Sequence, residues 1–336
     1  MIVDFQHHYT PKELFDAKGE GANLSARLDE NGNPCYLLNP LLYDLDAHIR
    51  MMDGAGIDIA VLSCGEGFDN PDAGGCRFIN DKMKQAEEDY PGRFIGLAHV
   101  PALKPDEMKA ELGRCVDQLG FPGVVIGSEL QGLALDAEEL DPFWKAVCDL
   151  GIYVFVHPLP RVISWDMMYA DDLGRVLGWE FSLATATLRM MNGGVLDRFP
   201  DLMVQFAHFS GGIGRYMSRI RGFGTRTLWG TEDIPGHGRK PARAYDHYMN
   251  ERLMYDCAGW VFHADDTAKQ GIEWIEFGLK EVALSQVVFA TDYPQAIRTD
   301  KDCKDYTDAV RALGEVGETI LTGNTAKLIP TLPKAA

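Results

Sequence analysis

Four residues of metal-binding type stand where short apolar runs end along the chain. His8, His157, His208 and Asp292 each follow a different run of this kind. Gln6 shares a face with His8, because side chains alternate along a strand and residues two apart point the same way. Imidazole and carboxylate groups bind divalent cations, and a catalytic site leaves one position open for substrate. The pattern therefore predicts a catalytic metal centre at one end of a sheet.

Each of these residues taken singly also has an ordinary structural explanation. A lone histidine at a strand end commonly makes a structural hydrogen bond, and Asp292, which directly precedes Tyr-Pro, could simply cap a turn. Their coincidence at four strand ends is what favours chemistry. The chain has no nucleophile elbow, no P-loop and no Gly-rich dinucleotide motif after a strand, so no other chemistry competes well.

Eight apolar runs alternate with amphipathic stretches and must position these residues. The predicted strands are Ile2–Phe5, Ile57–Ser63, Phe94–Val100, Gly123–Ile126, Ile152–Val156, Leu202–Ala207, Leu253–Cys257 and Val287–Thr291. The predicted helices between them include Asp46–Ala55, Ala73–Tyr90, Pro105–Leu119, Asp136–Leu150 and Ser182–Arg198. Nearly uniform apolar strands that alternate with helices predict an α/β fold, a (β/α)₈ TIM barrel whose strand ends meet at one mouth. Residues 1–336 are predicted to form one domain, with 18–42 as a flap or hairpin insertion after the first strand.

Composition limits the class of partner and the compartment. The net charge of −18 repels nucleic acid and anionic membrane surfaces, and no apolar run approaches the roughly 18 residues of a membrane helix. The seven cysteines are scattered without a CxxC, which argues against a disulfide framework, and the first residues do not read as a signal peptide. We therefore expect a cytoplasmic protein that acts on a small molecule, and an anionic substrate would need local positive charge.

Seven stretches resemble the amidohydrolase-related family of aminocarboxymuconate-semialdehyde decarboxylase, which includes resorcylate-type decarboxylases and some hydrolases and hydratases of ring-cleavage products. They are DFQHHYTPKE, MMDGAGIDIAVLS, YPGRFIGLAHVP, LGFPGVVIGSEL, YVFVHP, MNGGVLDRFPDLMVQFAHFSGG and ATDYP. They occur in family order over nearly the whole chain and are specific as a set. The resemblance implies a (β/α)₈ barrel with one divalent metal ion, zinc in the first place and manganese as the alternative.

The resemblance also implies roles for particular residues. By position, the metal ligands are Gln6, His8, His157 and Asp292. His208 matches the family's general acid/base, and Asp292 would also orient the metal's water. Arg219 matches a substrate-binding arginine that reaches the partner's site in a homodimer, although a surface role is the alternative. A hetero-oligomer with a paralogue is a further alternative.

Two positions depart from the family pattern. Gln6 stands where the family has His or Glu, and a neutral amide binds a cation more weakly than either group does. Three interpretations stay open: three strong ligands suffice, the ion is harder than zinc, or the metal is lost. Tyr36 stands where the named decarboxylase has a flap arginine, which argues against the same semialdehyde as substrate. Tyr36 could donate a hydrogen bond to substrate, stack on its ring, or only pack the flap.

The leading hypothesis is a metal-dependent non-oxidative decarboxylase of an aromatic or unsaturated carboxylic acid. The metal would polarise a substrate oxygen or activate water, and His208 would transfer a proton. A metal-dependent C–C bond hydrolase or hydratase of a ring-cleavage product is the alternative. A third reading, prompted by Gln6, is a weakly active subunit that supports a paralogous enzyme. The joint presence of His157, His208 and Asp292 favours an active enzyme.

Overall fold

Eight parallel strands line the interior of the computed structural model. They are β1 Val3–His8, β2 Ile59–Ser63, β3 Phe94–Gly96, β4 Gly123–Gly127, β5 Tyr153–His157, β6 Met203–Phe206, β7 Leu253–Asp256 and β8 Val287–Val288. The structure describes residues 1–19, 25–28, 34–159, 168, 171–224, 240–259 and 267–332. Strands such as β2, β4 and β5 are buried along their whole length, as expected for parallel strands covered on both faces.

The strands close into a ring through two single bridges. Hydrogen bonds join β1, β2 and β3 into one parallel sheet and β4 to β8 into another. A parallel bridge between Ala98 and Val124 connects β3 to β4, and a second between His7 and Tyr293 connects β1 to the segment after β8. The predicted (β/α)₈ barrel is confirmed.

Helices cover the outside of the ring between the strands. The α-helices are Lys12–Gly19, Leu45–Ala55, Ala73–Asp89, Pro105–Arg114, Asp141–Leu150, Trp179–Asn192, Val195–Arg198, Met217–Gly224, Tyr245–His247, Thr267–Gly278, Asp300–Arg311, Glu315–Glu318 and Thr325–Leu328, and the segment His208–Gly212 is a left-handed turn. The short 3₁₀ and π turns are Pro40–Leu42, Gly65–Gly67, Cys115–Leu119, Glu138–Leu140, Gly174–Gly178, Ile213–Tyr216, Tyr248–Arg252, Leu284–Gln286 and Thr319–Gly323. Within the described residues, none of these helices is long and apolar enough to cross a membrane.

One helix begins later than predicted. Residues Asp136–Leu150 read as one helix, but the α-helix begins at Asp141, after the 3₁₀ turn Glu138–Leu140. The buried carboxylate of Asp136 accepts a hydrogen bond from Arg189 Nε over 2.7 Å. A tertiary ion pair with Arg189 therefore holds Asp136 just before this turn.

A β-hairpin follows β1. Strand Ser25–Leu28 pairs antiparallel with strand Pro34–Leu38, and the backbone register places Arg27 opposite Tyr36. The second hairpin strand contacts the helical turn Gly174–Gly178, which precedes the helix Trp179–Asn192. That residues 1–336 form a single domain stays a prediction.

Candidate metal centre

Three of the predicted ligands meet at the C-terminal ends of their strands. His8 ends β1, His157 ends β5, and Asp292 lies four residues after β8. One ligand atom from each lies within 4.8 Å of the other two, and all three residues are buried. His8 Nε2 is 2.8 Å from Asp292 Oδ1, and the rings of His8 and His157 meet edge-on with centroids 4.9 Å apart. Two imidazoles and a carboxylate that converge in this way can hold one divalent ion.

Hydrogen bonds at the far nitrogens orient both imidazoles. His157 Nδ1 donates to the carbonyl oxygen of Pro158 over 3.1 Å, and His8 Nδ1 lies 3.1 Å from the hydroxyl of Ser63. Oxygen partners of this kind fix ring orientation in metal-binding histidines. Burial lowers the pKa of His157 well below its usual value, and the nearby His8 and His208 lower it further. His157 is therefore held neutral, which is the form that binds a metal.

Gln6 also belongs to the cluster, and its side-chain oxygen has no hydrogen-bond partner among the described residues. Its Nε2 donates to Asp292 Oδ1 over 3.0 Å and lies 3.2 Å from His208 Nε2. Its Oε1 is buried and has no hydrogen-bond partner among the described residues. In this orientation the amide nitrogen, and not the oxygen, faces the Asp292 carboxylate. An unsatisfied buried acceptor costs about 1–3 kcal/mol, and a hard cation is a partner that would satisfy it. The residues present therefore fit a divalent ion.

His208 sits in a left-handed turn that follows β6. Its φ is 56°, and the next residues also have positive φ: Phe209 (47°), Ser210 (59°), Gly211 (66°) and Gly212 (64°). A side chain at Gly211 would place Cβ 1.9 Å from the carbonyl oxygen of Glu180, so only glycine allows this approach. Successive left-handed residues are costly and occur mainly at functional sites.

A buried carboxylate holds this turn in place. Asp256 Oδ1, at the end of β7, accepts the backbone N–H of His208 over 2.9 Å, and Asp256 Oδ2 accepts from Gln205 Nε2 over 3.0 Å. Burial raises the pKa of Asp256 to about 6, although His208 and these hydrogen bonds lower it in part. Asp256 thus supports the turn that presents His208.

Glu180 and His208 form a carboxylate–imidazole pair beside the ligand cluster. Glu180 Oε1 lies 2.8 Å from His208 Nδ1, and His208 Nε2 lies 3.9 Å from Asp292 Oδ2. Burial lowers the pKa of His208, but the charge and hydrogen bond of Glu180, with Asp292 and Asp256, raise it more, to about 9. The pair holds a proton-carrying nitrogen against the candidate metal centre.

Two of these supporting residues were missed in the sequence. Ser63 ends a predicted strand, so the strand-end rule could have found it. Glu180 is the second residue of the helix Trp179–Asn192, and nothing in its local sequence marks it. It was therefore findable only in the structure.

The two predicted substrate-binding residues, Arg219 and Tyr36, stay predictions. Arg219 is exposed on the surface helix Met217–Gly224 of this single chain. Its reach into a partner's site, and the homodimer itself, stay predictions. The backbone of Tyr36 lies in the second hairpin strand, and its side chain lies outside the described part of the structure.

Comparison with known proteins gives concordant matches in sequence and structure. The amidohydrolase family model matches residues 3–330. The chain is 33% identical over 249 residues to a 2-amino-3-carboxymuconate-6-semialdehyde decarboxylase of Dictyostelium discoideum, covering 67% of this chain and 68% of the relative. It is 29% identical over 275 residues to a gamma-resorcylate decarboxylase of a Rhizobium species, covering 77% and 79%.

A solved structure shares the fold over almost the full length. It is a 5-carboxyvanillate decarboxylase from Novosphingobium aromaticivorans, complexed with manganese and 4-hydroxy-3-methoxy-5-nitrobenzoic acid. The TM-score is 0.79 at 20% identity, and the match covers 98% of this chain and 95% of the other. This likeness concerns the barrel and its insertions as a whole.

Proposed function

The chain belongs to the amidohydrolase family, and from that premise we propose that it is a metal-dependent, non-oxidative decarboxylase of an aromatic or unsaturated carboxylic acid. The observation that carries the proposal is the convergence of His8, His157 and Asp292 within 4.8 Å, with His208 beside them. The relatives above that are decarboxylases support this choice of reaction.

In this proposal His8, His157 and Asp292 hold the ion, and Gln6 Oε1 is a fourth, neutral donor. Gln6 replaces a histidine or a glutamate of the family pattern. With Gln6 the donor set carries one negative charge, the same as a set of three histidines and one aspartate. A divalent ion would therefore keep a net positive charge in the site. Two oxygen donors favour manganese, which the 5-carboxyvanillate decarboxylase structure contains, and zinc is the alternative.

When bound, the ion supplies Lewis-acid polarisation of a substrate oxygen. Glu180 holds His208 through Nδ1, so Nε2 faces the substrate position and can deliver a proton to the carbon that bears the carboxylate. The bond to the carboxylate then breaks, its electron pair returns to the substrate framework, and CO₂ leaves. The ring of Phe68 packs against His157, with the two ring centroids 4.4 Å apart.

The test is CO₂ release from gamma-resorcylate, 5-carboxyvanillate and related acids by manganese-loaded protein, with metal content measured per chain. His208→Asn should keep the metal and lose turnover by a factor of about 100 or more. His247→Asn is the matched control, because His247 pairs with Glu251 away from the cluster, and both readouts should be unchanged.

Other outcomes separate the alternatives. A product that has gained water would replace the proposal with a hydrolase or hydratase. Failure to bind either manganese or zinc would overturn it and favour a subunit that supports a paralogue. Near-normal turnover in His208→Asn would remove His208 from the mechanism.

A further inference from the structure

Three polar residues that the proposed reaction does not use are fully buried and bonded to one another. Asp4 and His7 lie on β1, and His48 lies on the helix Leu45–Ala55. His7 Nδ1 is 2.9 Å from Asp4 Oδ2, and His7 Nε2 is 3.0 Å from His48 Nδ1. His48 Nε2 is bonded to the carbonyl oxygen of Leu41. These four groups form one continuous series of hydrogen bonds, which we call the histidine chain.

The carbonyl group at one end sets the direction of the histidine chain. The oxygen of Leu41 can only accept, so His48 Nε2 donates to it. Burial lowers the pKa of His48 well below its usual value, and the nearby His7 lowers it further, so His48 is neutral and its Nδ1 accepts. His7 Nε2 therefore donates to His48, and a single proton joins His7 Nδ1 to Asp4 Oδ2. Both nitrogens of each ring are thus used inside the protein.

The carboxylate end of the histidine chain holds the backbone of two candidate metal ligands. Asp4 Oδ1 accepts the backbone N–H of Gln6 over 3.3 Å and that of Thr291 over 3.0 Å. The hydroxyl of Thr291 also donates to Asp4 Oδ2. Thr291 directly precedes Asp292, whose backbone N–H donates to the carbonyl oxygen of Gln6 over 3.0 Å. Asp4 therefore joins the backbone at Gln6 to the backbone at Asp292.

Asp292 has a backbone conformation that needs such support. Its φ is 53°, in the left-handed region that residues other than glycine rarely adopt. On one side of it, Thr291 makes the two hydrogen bonds to the carboxylate described above. On the other side, the ring of Tyr293 packs with its centroid 5.1 Å from that of His7 and 5.0 Å from that of His48. The histidine chain thus contacts both neighbours of Asp292.

The carbonyl end of the histidine chain belongs to a turn that is itself fixed to the barrel. Leu41 lies in the turn Pro40–Leu42, which follows the second hairpin strand. The carbonyl oxygen of Leu42 accepts the backbone N–H of Thr10 over 2.9 Å, just beyond the end of β1. The histidine chain therefore connects the ligand backbone to a second point of attachment outside the strands.

We propose that Asp4, His7 and His48 are positioning residues that hold Gln6 and Asp292 in place for a metal ion. This inference rests on the metal centre of the proposed function and adds residues that act on it without binding the ion. Hydrogen-bonded partners behind metal ligands commonly change metal affinity by about ten- to a hundredfold. His48 is the position to test, because His7 and Asp4 stand between it and the ligand backbone.

Two variants of His48 separate its hydrogen bonds from the space that it fills. His48→Leu keeps an apolar side chain of similar width but can neither accept from His7 nor donate to Leu41. His48→Gln keeps one acceptor and one donor, as the neutral imidazole does. Tyr248→Phe is the control, because it removes a hydroxyl that donates to Asp197 over 2.8 Å on the N-terminal side of β7.

Amide hydrogen exchange of the metal-free protein measures the backbone around Asp292. In His48→Leu, exchange in segment 289–295 should rise about tenfold more than exchange in the helix Ala73–Asp89. His48→Gln and Tyr248→Phe should change the two segments alike, to within about threefold. The proposal is overturned if His48→Leu also changes them alike, or if His48→Gln has the same effect as His48→Leu.

NMR of the unmodified protein with isotope-labelled histidine gives a test that does not depend on how a variant folds. It should show the proton of His48 on Nε2 and a proton on His7 Nε2. A proton on His48 Nδ1 would contradict the direction of the histidine chain and overturn the proposal.

Calorimetric titration with manganese on the same samples measures the effect on the ion. His48→Leu should bind manganese about tenfold more weakly than the unmodified protein, and His48→Gln and Tyr248→Phe should bind it within about threefold. Equal affinity in His48→Leu would overturn the proposal. If the unmodified protein binds neither manganese nor zinc, the proposed function fails, and the exchange data still decide whether the histidine chain holds Asp292.

Discussion

Replacing Gln6 by Glu should lower the stability of the metal-free protein and raise the affinity of the protein for manganese. Gln6 Nε2 donates to Asp292 Oδ1 over 3.0 Å, so the variant sets two carboxylates face to face in a buried place. Without metal their repulsion should destabilise the fold. With metal, a cation between them should neutralise both, so the variant should bind manganese more tightly than the natural sequence does.

The size of both effects follows from the spacing. Two unit charges about 4 Å apart interact by about 4 kcal/mol at an effective dielectric constant of 20. Proton uptake and side-chain rotation relieve part of this, so we expect the metal-free variant to lose about 2 kcal/mol of unfolding free energy. The gain in manganese affinity should be about tenfold to a hundredfold, or roughly 1.4–2.8 kcal/mol.

Calorimetric titration with manganese and denaturant unfolding with and without chelator measure the two effects. Gln6→Leu is the matched variant, since it has a similar size but neither donates nor ligates. It should bind manganese about tenfold more weakly. Equal manganese affinity in the natural protein and both variants would refute the reasoning, because it would place Gln6 outside the metal's ligands.

Two further predictions concern Glu180 and His99. Glu180→Gln keeps the shape of the side chain but removes the negative charge beside His208 Nδ1. Turnover should therefore fall about a hundredfold while the manganese content stays constant. Unchanged turnover would show that Glu180 has no part in proton transfer. Burial lowers the pKa of His99 to about 3, so the folded protein binds this proton more weakly than the unfolded chain, which titrates near 6.5. Stability should therefore fall as the pH drops from about 6.5 towards 3, by about 3 kcal/mol at pH 4.5 from this residue. His99→Gln, compared by urea unfolding at pH 7 and 4.5, should lose that part of the pH dependence; an identical slope would contradict it.

The strand-end rule located most of the cluster because a barrel gathers the carboxyl ends of its strands at one mouth. His8 and Asp292 are 284 residues apart in sequence, yet the alternation of strands and helices was enough to predict that they meet. The same rule placed His157 and His208 at this mouth. The topology could be predicted from the sequence because the order of strands and helices depends on many residues. Errors in the bounds of single elements do not change that order.

The parts that escaped prediction depend on tertiary partners. The apolar run Ile2–Phe5 covers only the first part of β1, which continues to His8 with His7 buried and paired with Asp4 and His48. A search for apolar runs does not detect a strand position that holds a buried polar residue, even when the hydrogen bonds of that residue are satisfied within the protein. Glu180 escaped for a related reason, since it reaches His208 from a helix start and not from a strand end.

The place of the cluster on the ring has a consequence for folding. The ring closes where β1 meets the segment after β8, and the backbone bridge between His7 and Tyr293 lies beside His8 and Asp292. Bringing these ends together closes nearly the whole chain into one loop, whose entropy cost grows only slowly with length. An ion bound by residues of both ends would add its binding free energy to that closure. The supply of metal in the cell would then set the lifetime of the folded chain as well as its rate of reaction.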